Sequence, residues 1–396
     1  MSAKARDVLQ RAVSLKEVRW FELDWHVAFM ALLLALLGSL TVYSIADADE
    51  LHQRMGVSWA SHAQKTLVAL PFLLLAMAVR PRWLRRHALW VWGLAVALLL
   101  AVFVVGEERN GAQRWIQLPL GWDLQPSELA KVALVIALAA ALAANKLRTL
   151  RDWLRALPVA LVPILLVARQ PDLGTAMTMV PVTLALLWVA GASWKVYAVG
   201  FLGVPLLSLA AYHTGFLLHD YQLQRVRTWT DSWGTQELLA AKNGAAFHVY
   251  HARVAIGNGG WTGTGSGEGV ANQMAYLPER DCDSIFAVVA EEWGFVGALL
   301  VLAIYALFVL SLLKSASGLR DRFSKLAVTG VAVYFAAHLV VNVGVNLGLV
   351  PLTGLTLPFF STGGSSQLAT FAMLGLALGL TAHKEPVLDG DSFSRA

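Results

Sequence analysis

The sequence predicts an all-α polytopic membrane protein, with about ten transmembrane helices and a large extracytoplasmic loop between helices 7 and 8. Three observations carry this expectation. Hydrophobic residues make up 57% of the 396 and charged residues only 14%, whereas soluble domains run nearer a quarter charged. Several apolar runs reach the ~18 residues needed to cross a hydrocarbon core of roughly 30 Å. Lys and Arg gather between alternate runs, the pattern that fixes orientation in a bilayer.

Residues 1–25 are polar and of mixed charge. They lack the charged, apolar, small-residue order of a cleavable signal peptide, so the first apolar run is expected to stay as an anchor. Ten hydrophobic segments follow, at roughly 26–46, 64–79, 88–105, 129–145, 157–169, 174–191, 196–213, 284–313, 327–349 and 364–381. An even number puts both termini on one side. With the N-terminus in the cytoplasm, the basic clusters within 4–19, 80–86, 146–155 and 314–325 all fall inside, as does the tail 382–396. Three outer loops result: 106–128, a short connection over 168–175 that reads as a re-entrant bend, and 214–283. The last is far longer than most connections in a compact fold, which points to function. The chain reads as one domain over 1–396. Its single cysteine, Cys282, excludes an intramolecular disulfide and a cysteine-spaced metal site. No nucleic-acid signature is present.

The first outer loop ends at Pro126-Ser127-Glu128, a helix start with Pro in the first turn and an acid against the dipole. Trp115 suits the membrane interface. Lys131, one turn into the next helix, needs a partner or a wet cavity. Gln170-Pro171-Asp172 interrupts an apolar stretch, and Asp172 reads equally as a helix cap or a cavity carboxylate. Arg225 and Arg227 follow Tyr221 in a segment that mixes Arg and Trp to Trp233, as in a surface-lying amphipathic helix. Arginine also recognises phosphate through its planar fork.

Seven glycines fall within 257–269. They lack the Gly-Lys-Ser/Thr ending of a phosphate-binding loop, but they permit positive φ and close backbone approach. Asp281 and Asp283 precede the eighth segment, where one could cap the helix. Glu291 and Glu292 lie inside it, and a carboxylate within a membrane helix is a functional candidate by default. Glu291 lies about 12 Å beyond Asp283 if both are helical. No Ser/His/Asp or Cys/His nucleophile arrangement stands out along the chain. The run from Asn342 to Ser366, broken by Pro, Gly and Ser, is expected to line a cavity.

Taken together, five ordered segments resemble the shape, elongation, division and sporulation (SEDS) proteins of the FtsW/RodA/SpoVE type: Arg114-Trp115-Ile116 with Gln125-Pro126-Ser127-Glu128 and Lys131; Gln170 to Ala176; Tyr221-Gln222 with Arg225; residues 255–297; and Pro351 to Ser366. The resemblance implies a peptidoglycan glycosyltransferase that polymerises lipid II at the outer face of the bacterial cytoplasmic membrane. It also implies a class B penicillin-binding protein as the cross-linking partner. It places the family's essential aspartate on Asp283, its membrane glutamate on Glu291 and its loop tryptophan on Trp115. Glu128 and Lys131 match residues near the family's central cavity. The chain departs at Asp281-Cys282 where His-Thr is usual, at Ser284 where Phe is common, at His251-Ala252 in place of Gln-Ser, and at Thr362 in place of Tyr.

The expected chemistry is attack of a sugar 4-hydroxyl on an anomeric carbon, with pyrophosphate leaving. Asp283 would be the base, or would hold a divalent cation, Mg2+ or Mn2+. Lys131 and Arg225 would contact pyrophosphate, Asp281 the substrate beside Asp283, Trp115 the sugar or lipid, and Glu291 would tune the cavity from inside the membrane. Two rival readings are a lipid-precursor flippase or transporter, with acids near the bilayer centre, and a non-catalytic activator of a penicillin-binding protein.

Overall fold

The structure, a computed structural model, describes residues 13, 18–52, 58–109, 112–118, 122–144, 147, 149–198, 203, 220–234, 246–274 and 276–383. Helices dominate. In chain order they are α1 (Trp25–His52), α2 (Trp59–Ala78), α3 (Pro81–Val105), α4 (Pro126–Ala144), α5 (Leu150–Arg169), α6 (Leu173–Val189), α7 (Asp220–Asp231), α8 (Phe247–Asn258), the single turn α9 (Val270–Gln273), α10 (Ile285–Gly318), α11 (Arg322–Asn346) and α12 (Gly364–Ala382). Nine of the ten predicted segments are therefore helical. The seventh, 196–213, lies almost wholly outside the described residues, as does the tail beyond His383.

Local sequence explains the ends. Pro81 opens α3 at a position where its missing N–H costs nothing. Thr149 and Asp152 form a reciprocal capping box on α5. Asp321 caps α11 by accepting from Ser324 N at 2.8 Å.

Among the described residues, six helices are long and apolar enough to span a bilayer: the first 24 residues of α1, then α3, α4, α10, α11 and α12. Burial sorts them. α12, α11 and α4 are mostly enclosed by other helices, and α1, α3 and α10 face outward. On α1 the outward stripe is Phe29, Leu32, Leu36 and Leu40, each more than half exposed, while Val27, Ala31, Leu34 and Val42 pack inward. Such spacing puts one apolar face on lipid and another on protein. The α12–α2 contact is set by Gly375 and Gly379, where any Cβ would meet the backbone of Leu73 and Met77. Small residues four apart let two membrane helices approach closely.

Two of the loops expected on the outer side carry structure that apolar periodicity does not predict. Residues 106–128 hold a three-stranded antiparallel sheet: β1 (Glu107–Arg109), β2 (Ala112–Leu118) and β3 (Trp122–Leu124), in order β1-β2-β3. Its register pairs Glu107 with Trp115 and Ile116 with Leu124. The described part of 214–283 contains α7, α8 and α9. α7 fits the surface helix expected from the Arg and Trp pattern.

Candidate active site

Asp283 sits one residue before the N-cap of α10 and is 8% exposed. The residue at the N-cap is Ser284, and it makes no capping hydrogen bond; neither aspartate is a cap, so the capping alternative is set aside. The Asp283 main chain is instead gripped from α11. Asn342 Nδ2 and Asn346 Nδ2 donate to its carbonyl at 3.0 and 2.9 Å. Its side chain meets His248 of α8, with Nε2 3.5 Å from Oδ1. Oδ1 is buried without a hydrogen-bond partner. Oδ2 is turned toward Gly354, where an added Cβ would lie 3.9 Å from it.

Asp281 and Cys282 lie against the turn before α12. Thr362 donates to the Asp281 carboxylate, Thr362 N donates to the Asp281 carbonyl at 2.9 Å, and Ser361 Oγ donates to the Cys282 carbonyl. Lys65 of α2 donates to the Thr362 carbonyl at 3.0 Å. Glu279, at the exposed rim, has its carboxyl held above the usual range by partial desolvation first, then by Asp283 and Asp281. Burial, followed by Asp281, pushes the Cys282 thiol up. Ligand atoms of Glu279, Asp281 and Cys282 all lie within 4.8 Å of one another. Two carboxylates suit a hard divalent cation, and a thiol held protonated does not. Asp283 is not in that group.

A second polar cluster lies one turn along α11. Lys131 and Glu128 form a buried pair at 2.8 Å. Lys131 Nζ also lies 3.0 Å from His338 Nε2 and over the Tyr334 ring. His338 in turn meets the Thr356 carbonyl at 3.2 Å, and Asn342 donates to the Leu355 carbonyl at 2.7 Å. Residues 338 and 342 share one helical face about 6 Å apart. A continuous polar lane therefore runs from Asp283 through Asn342 and His338 to Lys131, beside residues 355–356. Arg225 of α7 joins the hairpin connection over 347–363, between α11 and α12, by donating to the Leu352 carbonyl at 2.7 Å. The segment expected to line a cavity is thus the edge along which Asp283, Arg225 and the Lys131 group are brought together.

Other sequence candidates fall elsewhere. Trp115 is half-buried on β2, on a sheet tied to α12 by Ser365 Oγ, which donates to the Asp123 carbonyl and accepts from Gln125 N. Asp172 is the N-cap of α6, accepting from Thr175 N at 3.2 Å, and also takes Gln125 Nε2 and Ser127 Oγ. Of its two sequence readings the cap is the one observed, with the carboxylate buried and hydrogen-bonded within the protein. Glu291 is fully buried away from the lane; it accepts from Ala271 N at 3.1 Å and from Asn258 Nδ2 at 3.4 Å. Glu292 accepts from Ser44 Oγ at 2.6 Å and Asn272 Nδ2 at 2.8 Å. Glu291 ties the glycine-rich segment and α9 to α10, and Glu292 ties α1 and α9 to it. His248 and Asn346 belong to the frame of Asp283 without standing out in sequence; their partners lie too far along the chain for spacing to pair them.

Residues 24–385 match the FtsW, RodA and SpoVE family profile, described as a cell cycle protein. The chain is 31% identical over 378 residues to the peptidoglycan glycosyltransferase MrdB of Escherichia coli (strain K12), covering 93% of this chain and 97% of that protein. It is 32% identical over 369 residues to a probable peptidoglycan glycosyltransferase FtsW of Thiomicrospira cyclica, covering 90% and 91%. Among solved structures it is similar to the Thermus thermophilus rod shape determining protein RodA, with TM-score 0.67, 29% identity and coverage of 93% and 99%. It is also similar to a chain from a structure on the coordination of polymerization and crosslinking by a peptidoglycan synthase complex, with TM-score 0.76, 30% identity and coverage of 91% and 98%.

Proposed function

The chain belongs to the FtsW, RodA and SpoVE family and is a membrane-embedded peptidoglycan glycosyltransferase, and we propose that Asp283 is the general base with which it polymerises lipid II. The observation that carries this reading is the frame around Asp283: a main chain fixed by two asparagines, one oxygen buried at His248, and the other turned to the hairpin that also meets Arg225 and the Lys131 group.

In the reaction, the 4-hydroxyl of one lipid-linked sugar attacks the anomeric carbon of another. Asp283 Oδ2 takes the hydroxyl proton as the new C–O bond forms. The bond from the anomeric carbon to phosphate breaks, and its electron pair leaves on the lipid pyrophosphate. A positioned carboxylate base contributes ~10²–10⁴-fold. Charge on the leaving group calls for cations, and Arg225 and Lys131 are placed along the same edge. Lys131 acts from within its pair with Glu128, so its field reaches the lane partly neutralised. Asp281 and Trp115 flank the substrate, Asp281 from the turn before α12 and Trp115 from the sheet. Glu291 acts indirectly, by fixing the glycine-rich segment. Glu279 and Asp281 would hold a divalent cation such as Mg2+ or Mn2+, which would screen pyrophosphate charge.

The reading extends to setting and partner. The chain sits in the bacterial cytoplasmic membrane with both termini inside and works with a class B penicillin-binding protein. The basic inner clusters and the likeness to a chain of a synthase complex that coordinates polymerization and crosslinking support this. The test is product analysis: the purified chain with its transpeptidase partner, given lipid II, is expected to yield glycan strands resolved by gel. Transbilayer movement of lipid II in vesicles with no polymer formed would replace this reading with the flippase.

A further inference from the structure

His248, Ser284 and Asp283 form a cluster that the reaction as described uses only at one corner. Ser284 Oγ lies 2.9 Å from the Pro278 carbonyl and 2.9 Å from His248 Nε2. A carbonyl oxygen only accepts, and a hydroxyl has one proton to give. The Ser284 proton therefore goes to Pro278, and toward His248 the hydroxyl can only accept. His248 must then carry hydrogen on Nε2. That hydrogen is directed at Ser284, and Nε2 stands 3.5 Å from Asp283 Oδ1, a contact of charge and not a hydrogen bond, since Oδ1 is buried without a hydrogen-bond partner.

The arrangement invites a nucleophile reading, which the geometry excludes. Ser284 is fully buried, its proton is committed to a carbonyl, and the imidazole offers it a donor instead of a base. The histidine's other nitrogen is informative. Nδ1 is buried without a hydrogen-bond partner. In the neutral ring with hydrogen on Nε2, Nδ1 presents only a lone pair. A histidine retained for packing alone would ordinarily have both nitrogens satisfied. Here every polar contact of the ring is directed at the two residues that begin the catalytic edge.

Resting on the assignment of Asp283 as base, we propose that His248 is a positioning residue: its Nε2–H, donated to Ser284, stands 3.5 Å from Asp283 Oδ1 and holds that oxygen by charge, so that Oδ2 alone meets the sugar hydroxyl. α8 thereby supplies the side-chain half of a clamp whose main-chain half is Asn342 and Asn346 on α11. Holding one carboxylate oxygen fixes the direction in which the other can accept a proton. Misplacement by about 1 Å can cost ~100-fold in rate.

The test uses the full chain with its transpeptidase partner and lipid II, measuring kcat and KM for polymerisation alongside thermal unfolding. His248→Ala is expected to lower kcat by about 10- to 100-fold with KM unchanged. His248→Gln, whose Nε2 can carry an N–H to the same place, is expected to restore most of kcat. Unchanged kcat in His248→Ala overturns the proposal. So does an equal loss in both variants accompanied by an equal fall in melting temperature, which marks packing, or a raised KM at full kcat, which marks substrate contact. Asp283→Asn measured in parallel separates the two ideas. If it is inactive while His248→Ala is fully active, the clamp fails and the base stands; if it is fully active, the base assignment itself fails.

Discussion

At the scale of single residues, Asp283 is held more firmly through its carbonyl than through its carboxylate. Two amide donors fix the first, and one long contact meets the second. That division suits a base, which needs a fixed origin and an oxygen left for substrate. Its acidic neighbour at the rim behaves differently. Folding raises the Glu279 value above the usual 4.5, so the folded chain binds this proton more tightly than the unfolded chain does. The associated stability is fully present below the unfolded value and is lost as pH rises through the raised one. Glu279→Gln is therefore expected to flatten the fall of melting temperature as pH rises from about 4.5 through the raised value, losing less than wild type over that window. Parallel curves for the two proteins would refute the assigned burial and carboxylate repulsion. Asp283 is singled out in sequence by the family resemblance, since its place before an apolar run is one that Asp281 shares. His248 and Asn346 cannot, since they meet this corner from 36 and 63 residues away and nothing in local spacing announces such partners.

At the scale of elements, α10 matters most because it is interrupted. Gly294 has φ 67 and ψ −169 within it, and the glycine-rich segment fills the gap. Thr264 N and Gly265 N donate to the carbonyls of Glu291 and Glu292 at 3.0 and 3.1 Å, and Phe295 N returns to the Gly260 carbonyl at 2.8 Å. Backbone groups freed inside a membrane helix must be re-satisfied by protein. Here that demand, rather than ligand binding, accounts for several of the glycines. A Cβ on Gly263, itself at φ +84, would overlap the Glu292 carbonyl. Gly263→Ala is expected to cost about 2 kcal/mol or more, read as a lowered melting temperature in detergent; a wild-type melting curve would contradict the insertion. The apolar length of α10 is plain in sequence, and so is the oddity of two glutamates within it. Their partners, Ala271 and Asn258 for one and Ser44 and Asn272 for the other, come from a loop and from α1. Only the folded chain shows that both acids anchor structure. The sheet at 107–124 is hidden in sequence for a related reason: its strands are short, mixed in polarity, and stabilised by lying over α12.

At the scale of the molecule, the bilayer explains what is legible. Its thickness dictates helix length, so helices can be read from apolar runs without knowing how they pack. Which helices are central is legible only in part: α12, the less apolar of the two, is far more buried than α3. The buried Glu128–Lys131 pair shows how the centre is organised around charge. Removing one partner of a buried pair costs about 3–5 kcal/mol, whereas replacing both is often nearly neutral. Lys131→Met is thus expected to lower stability sharply, and Glu128→Gln with Lys131→Met to recover most of the melting temperature. If the double variant is also slow in polymerisation, the pair's field matters to chemistry beyond folding; if it melts no higher than Lys131→Met, the pair is not the unit described.

The central claim is that Asp283 removes the attacking proton. The most direct measurement is the rate of glycan-strand formation from lipid II by the Asp283→Asn chain in complex with its transpeptidase partner, with complex formation and lipid II binding checked on the same sample. Asparagine keeps the size and the main-chain grip but cannot accept the proton as a carboxylate does. The expected result is a loss of about 100-fold or more with binding and assembly intact. Polymerisation at the wild-type rate would contradict it.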